Sequence, residues 1–231
     1  MKIQTELKQL ANPAQARILA GFFKTAPGQY GAGDKFLGIK VPQTRAVAKK
    51  FVHLDFSDLQ ALLNSPYHEF RLTALLILVQ KYDSADKFEQ KKIFNFYLKN
   101  SKNINNWDLV DLTADRIIGR YLEDKDRTVL YKLAQSKNLW ERRMAILTTF
   151  WFIKAHDFAD TLRLAQILLD DSHDLMHKAI GWMLREVGKR NRELLEVFLR
   201  QYYRAMPRTM LRYAIEKFPA GARQKYLKGL I

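Results

Sequence analysis

Among the 231 residues of this chain, Asp111, Trp107 four positions before it, Trp182 and Arg143 form the set best suited to chemistry. On a helix, a separation of four places the Trp107 indole and the Asp111 carboxylate on one face. A carboxylate stabilises positive charge that develops at a reacting centre and can orient water. Indole faces attract the same charge through their quadrupole, and a guanidinium can hold a phosphate. Together these groups suit a substrate that is cationic where its bond breaks. Cleavage of an N-alkylated purine from its sugar is such a case, because the base is already charged and the sugar gains oxocarbenium character. Buried tryptophans are ordinary in helical proteins, so a core role for Trp107 and Trp182 stands beside this reading.

These side chains need elements to hold them, and the apolar pattern supplies helices. Apolar residues recur at three- and four-residue spacing, as in Leu72, Leu75, Leu76, Val79 and in Ile146, Leu147, Phe150, Ile153. Strand-like alternation bounded by turn pairs is absent, so the class is all-α. Asn12-Pro13, Ala26-Pro27-Gly28, Val41-Pro42, Ser65-Pro66, Met206-Pro207 and Phe218-Pro219 predict helix boundaries. The segments EFRLTALLIL, WDLVDLTADR, ERRMAILTTF, MHKAIGWMLR and LRYAIEKF align Ala74, Asp111, Ala145, Ala179 and Ala214 at spacings of 37, 34, 34 and 35. A period of this size predicts a HEAT-like helical-repeat solenoid of about six antiparallel helix pairs, one domain over residues 1–231. Four aligned positions are alanine, where helices pack closely, and the fifth is a charged residue that almost never enters a core unpaired. A concave groove lined by the inner helices resolves the conflict, since solenoids bind on that side. Arg143, His177 and Arg212 lie two positions before three of the alanines and predict a basic stripe along the groove. A merely solvated face is the other reading of that stripe.

The balance of charge points the same way. Lys and Arg outnumber Asp and Glu to give +15, and residues 181–231 alone hold twelve basic against four acidic side chains. Such an excess predicts a polyanionic partner, nucleic acid before anionic membrane. Arg185, Lys189 and Arg212 are the C-terminal cations assigned to nonspecific affinity. The longest apolar run, Ala74 to Val79, is far short of a membrane span, and the N-terminus has no signal core, so a soluble cytoplasmic protein is expected. With no cysteine, thiol nucleophiles, thiolate zinc sites and disulfides are excluded.

Other motifs carry less. His173 and His177 in HDLMH imitate the zinc-protease spacing, but no third ligand is evident, and neither metal nor cofactor is expected. His53, His68 and His156 stand isolated. Asp108 and Asp115 flank Asp111 and either raise its proton affinity or pair with Arg116 or other cations. Lys178 borders the groove, yet a lyase would need a lysine nucleophile of depressed pKa, so a monofunctional hydrolase is expected. The glycine-rich stretch Gly28 to Gly38 lacks the ending of a phosphate loop and reads as a connecting loop.

FLGIKVPQTR (36–45), NNWDLVDLTA (105–114), NLWERRMAIL (138–147) and KAIGWMLREVGK (178–189) together resemble the AlkD-type DNA alkylation-repair glycosylases, which are HEAT-like repeat proteins. The resemblance runs over most of the chain. It implies that Asp111 is the catalytic aspartate, Trp107 and Trp182 the paired tryptophans of the cleft, and Arg143 the DNA-contacting arginine. It further implies excision of cationic bases such as 3-methyladenine and 7-methylguanine without metal, holding the lesion through its backbone and not by swallowing a flipped base. Phe22 or Phe23 falls where some members have a tyrosine. The expected function is therefore hydrolysis of alkylpurines from double-stranded DNA by a monomer without an obligate protein partner, leaving an abasic site. A catalytically silent solenoid that binds distorted or branched DNA, or RNA, is the alternative, and a protein–protein scaffold is a third class.

Overall fold

The structure is a computed structural model describing Met1 to Ile231, and it is all-helical as the periodicity predicts. It falls into two compact units, Met1–Thr113 and Ala114–Ile231. The first holds α1 (Lys2–Gln9), α2 (Pro13–Phe22), α3 (Val41–Lys50), α4 (Phe56–Leu63), α5 (His68–Ser84), α6 (Lys87–Lys99) and α7 (Trp107–Asp111). The second opens with a π turn, Asp115–Gly119. It continues with α8 (Thr128–Ala134), α9 (Leu139–Lys154), α10 (Ala159–Ile167), α11 (Asp174–Arg190), α12 (Arg192–Tyr202), α13 (Arg208–Ala214) and α14 (Ala220–Lys228). No helix is long and apolar enough to cross a membrane.

Helix starts follow from capping chemistry. Asn12, Asp55, Asp86, Asn138 and Asn191 each accept hydrogen bonds from first-turn amides that have no partner within the helix. Pro13 and Pro42 sit in the first turns of α2 and α3, where a missing N–H costs nothing. Pro207 and Pro219 immediately precede α13 and α14. The boundaries expected at these prolines are therefore present.

In the first unit α5 is the centre, with α1, α3, α4, α6 and α7 packed around it. Leu72, Leu75, Leu76, Ile77, Leu78 and Val79 are all buried, so the helix is apolar on every side. In the second unit α9 is surrounded by α8, α10, α11 and the π turn, and α11 packs in turn on α12 and α13. Gly181 permits the last contact, because a Cβ there would lie 2.5 Å from the Met210 carbonyl oxygen. The aligned alanines behave as close-packing positions: Ala74, Ala145 and Ala179 are 0% exposed and Ala214 is 1% exposed. Asp111, in the corresponding slot, is half-buried.

One part of the repeat departs from the expected pattern. WDLVDLTADR does not form a continuous inner helix, since α7 ends at Asp111 after little more than one turn and α-helical bonding gives way to the π turn. The Thr113 hydroxyl donates back to the Leu109 carbonyl and engages the Tyr97 hydroxyl at 2.8 Å. Such side-chain bonding to the preceding turn competes with the helical ladder and bends it.

Candidate active site

Asn106 sets the start of α7 by accepting from the Trp107 amide at 2.9 Å. Leu109 and Val110 then enter the core, fully buried, which turns Trp107 and Asp111 toward the opposite, partly exposed face. The expected indole and carboxylate thus share one turn, placed where the chain leaves the α conformation. Breaks of π type are frequent at functional sites.

The Trp107 indole is backed by rings. Phe23 stacks on it with centroids 5.1 Å apart, and Phe22, 61% exposed, meets it edge-on at 5.8 Å. Phe23 stacks in turn on Phe36 at 5.1 Å, and Phe36 on His68 at 4.7 Å. Phe22 and Phe23 therefore both touch Trp107, in different ways.

His68 is not isolated, contrary to the sequence reading. It is 2% exposed and lies between Asp108 Oδ2 at 2.8 Å from Nε2 and Asp34 Oδ2 at 3.4 Å from Nδ1. Burial alone would disfavour the imidazolium, but attraction and hydrogen bonding to Asp108, with the Asp34 hydrogen bond, raise its pKa to about 9. Asp34 is likewise opposed by burial, yet His68, Arg71 and Asn105 hold its carboxyl below the ordinary value. Arg71 lies 2.8 Å from Asp34 Oδ1 as an ion pair out of hydrogen-bond alignment. Asn106, the cap of α7, also reaches Asp34 at 3.5 Å.

The stretch Gly28 to Gly38 is accordingly more than a connection, since it delivers Asp34 and Phe36 to this cluster. The buried Glu69 carboxylate accepts from the amides of Leu37, Gly38 and Ile39 at 2.8–3.2 Å and fixes the loop. Gly38 is required at φ +85°, where a Cβ would also collide with the Asn12 carbonyl at 2.2 Å. His68 is 34 residues from Asp34, 40 from Asp108 and 32 from Phe36, and no local spacing betrays the cluster.

The acidic neighbours of Asp111 have their own cations: Asp108 pairs with His68, and Asp115 with Lys154 at 2.7 Å. Pairing with other cations, the second of the two expectations, is what occurs.

The remaining candidates lie in the second unit. Arg143 on α9 is 4% exposed and donates to the Leu175 carbonyl in the first turn of α11. His177 bonds through Nε2 to the Asp171 carbonyl, while His173 Nδ1 caps α11 by accepting from the Leu175 amide at 3.1 Å. Trp182 is half-buried with its ring 5.9 Å from Phe150. One turn on, Arg185 pairs with Glu216, and Lys189 with Glu186 at 2.6 Å. Burial opposes ionisation of Glu186, but Lys189 and Arg190 lower its pKa. Lys189 and Arg212 are exposed. The stripe of Arg143, His177 and Arg212 is thus graded from a buried structural guanidinium to a solvated one.

A family model described as DNA alkylation repair enzyme matches residues 3–218. No curated protein matches the chain at a significant level. Among solved structures the chain is similar to one described as "Predicted DNA alkylation repair enzyme from Enterococcus faecalis". The two are 17% identical with a TM-score of 0.70, over 91% of this chain and 97% of that one. At that identity the likeness establishes a shared helical-repeat fold.

Proposed function

The chain belongs to the DNA alkylation repair enzymes, and from that premise we propose that it hydrolyses the N-glycosidic bond of cationic alkylpurines in double-stranded DNA. Water adds to C1′ of the deoxyribose and the C1′–N bond breaks. The base leaves with the bonding electron pair as a neutral alkylpurine, and the proton of water is released. Because the base departs neutral, no general acid is needed. The demand falls on the sugar, where Asp111 stabilises the oxocarbenium charge and orients water.

A single observation carries this reading. A half-buried carboxylate occupies the slot that the other repeats fill with buried alanine, four residues from an indole supported by stacked rings. Trp107 gives that charge a π face, and Trp182 is proposed as the second aromatic contact. Lys189 and Arg212 are exposed and suited to phosphate. His177 and Arg185 extend that surface along α11, and Arg143 supports it from beneath by holding the first turn of α11. Lys178 is half-exposed and paired with Asp174 at 2.7 Å, unlike the desolvated amine of a lyase, which favours a monofunctional enzyme.

Incubation with duplex DNA containing 7-methylguanine, without added metal, tests the proposal. Release of free base, abolished in Asp111→Asn with binding retained, supports it. Tight binding without release at high enzyme excess supports a silent DNA-binding protein in its place.

A further inference from the structure

We propose that His68 is a positioning residue for base excision, clamping the Gly28–Gly38 loop to the α7 turn and so fixing Trp107 and Asp111. The inference rests on the glycosylase reading of Asp111. Its geometry is independent of that reading. The imidazole opens α5 and reaches two other segments at once: Asp34 in the loop and Asp108, which lies between Trp107 and Asp111 on α7. Its ring stacks on Phe36 at 4.7 Å and meets Phe23, tilted, at 5.0 Å, and Phe23 is the ring stacked on Trp107. Both the polar and the aromatic supports of the site turn therefore converge on one side chain.

The clamp depends on charge. An imidazolium donates from both nitrogens, so each carboxylate accepts a hydrogen bond, whereas a neutral imidazole has one N–H and must turn a lone pair toward one of them. The charged groups facing His68 are Asp108 from α7, Asp34 from the loop, and Arg71 from its own helix, while the neighbouring Glu69 is engaged by the loop amides. With His68 protonated, the two carboxylates are balanced by His68 and Arg71. Loss of the proton leaves a buried negative charge unmatched and removes one of the two hydrogen bonds that tie the loop to α7. Proton loss falls near pH 9.

The experiment compares wild type, His68→Gln and Asp111→Asn. Gln can still donate to Asp108 but carries no charge. Three quantities are read: the single-turnover rate of 7-methylguanine release with enzyme in excess, the affinity for the same duplex, and amide exchange across residues 105–113. Wild type should show a rate that falls above about pH 9. His68→Gln should release base on the order of tenfold more slowly at pH 7, since small misplacements of reacting groups carry costs of that size or more. It should bind DNA within about threefold of wild type, lack the alkaline fall, and exchange the α7 amides about tenfold faster. Asp111→Asn should lose release while keeping wild-type exchange. A wild-type rate and alkaline fall in His68→Gln, or unchanged exchange across α7, would overturn the proposal. If wild type releases no base, the glycosylase reading fails and takes the kinetic consequence with it. The exchange measurement then decides alone whether His68 holds the turn.

Discussion

The buried imidazolium makes the stability of this protein depend on pH in a direction opposite to acid denaturation. His68 titrates at 6.5 when unperturbed and at about 9 in the folded chain, so the native state binds its proton more tightly than the unfolded state. Its contribution is therefore fully present below pH 6.5 and is lost progressively as pH rises through 9. At about 1.4 kcal/mol for each pH unit between those values, the loss comes to roughly 3 kcal/mol, a large share of a typical domain's stability. Urea unfolding of wild type and His68→Gln at pH 6 and pH 9.5, followed by far-ultraviolet circular dichroism, isolates the effect. Wild type should lose about 3 kcal/mol more than the variant between the two conditions. Equal losses in the two proteins would refute the placement of a charged His68 between two carboxylates.

Other consequences are more local. Gly181→Val should lower stability by about 1–3 kcal/mol, seen as a drop in Tm, because its Cβ has no room beside the Met210 carbonyl. Phe22→Ala should leave unfolding within about 0.5 kcal/mol of wild type, since the ring is mostly exposed, yet slow base release by removing the edge contact to Trp107. Affinity for duplex DNA should fall steeply with salt. Replacing Lys189 or Arg212 by Ala should reduce the slope of log K against log salt by about 0.9 each if that residue meets a phosphate.

The helical class, the repeat and the outlier at Asp111 were legible because each rests on local spacing. Apolar residues at three and four declare a helix face, prolines declare boundaries, and alanines recurring at one register declare close packing, all visible along the chain. Trp107 and Asp111 were legible as a pair for the same reason. The early end of α7 was not, because it depends on Thr113 meeting both the Leu109 carbonyl and Tyr97, sixteen residues away. His68 read as isolated for a similar reason: its carboxylate partners lie 34 and 40 residues distant, and nothing in their spacing recurs. Arg143 read as a cation at a groove edge because register alone does not show that its guanidinium is turned into a neighbouring helix end. The glycine-rich loop concealed its role because glycine announces only backbone freedom, while the anchor is the Glu69 side chain from another element.

In the proposed reaction the Asp111 carboxylate, set in an alanine slot, stabilises a sugar cation. Single-turnover release of 7-methylguanine by wild type and Asp111→Asn, measured beside their affinities for the same duplex, tests this role most directly. Neutralising a key electrostatic group should slow release on the order of 10²-fold or more while affinity stays near wild type. Equal release by the two proteins would contradict it.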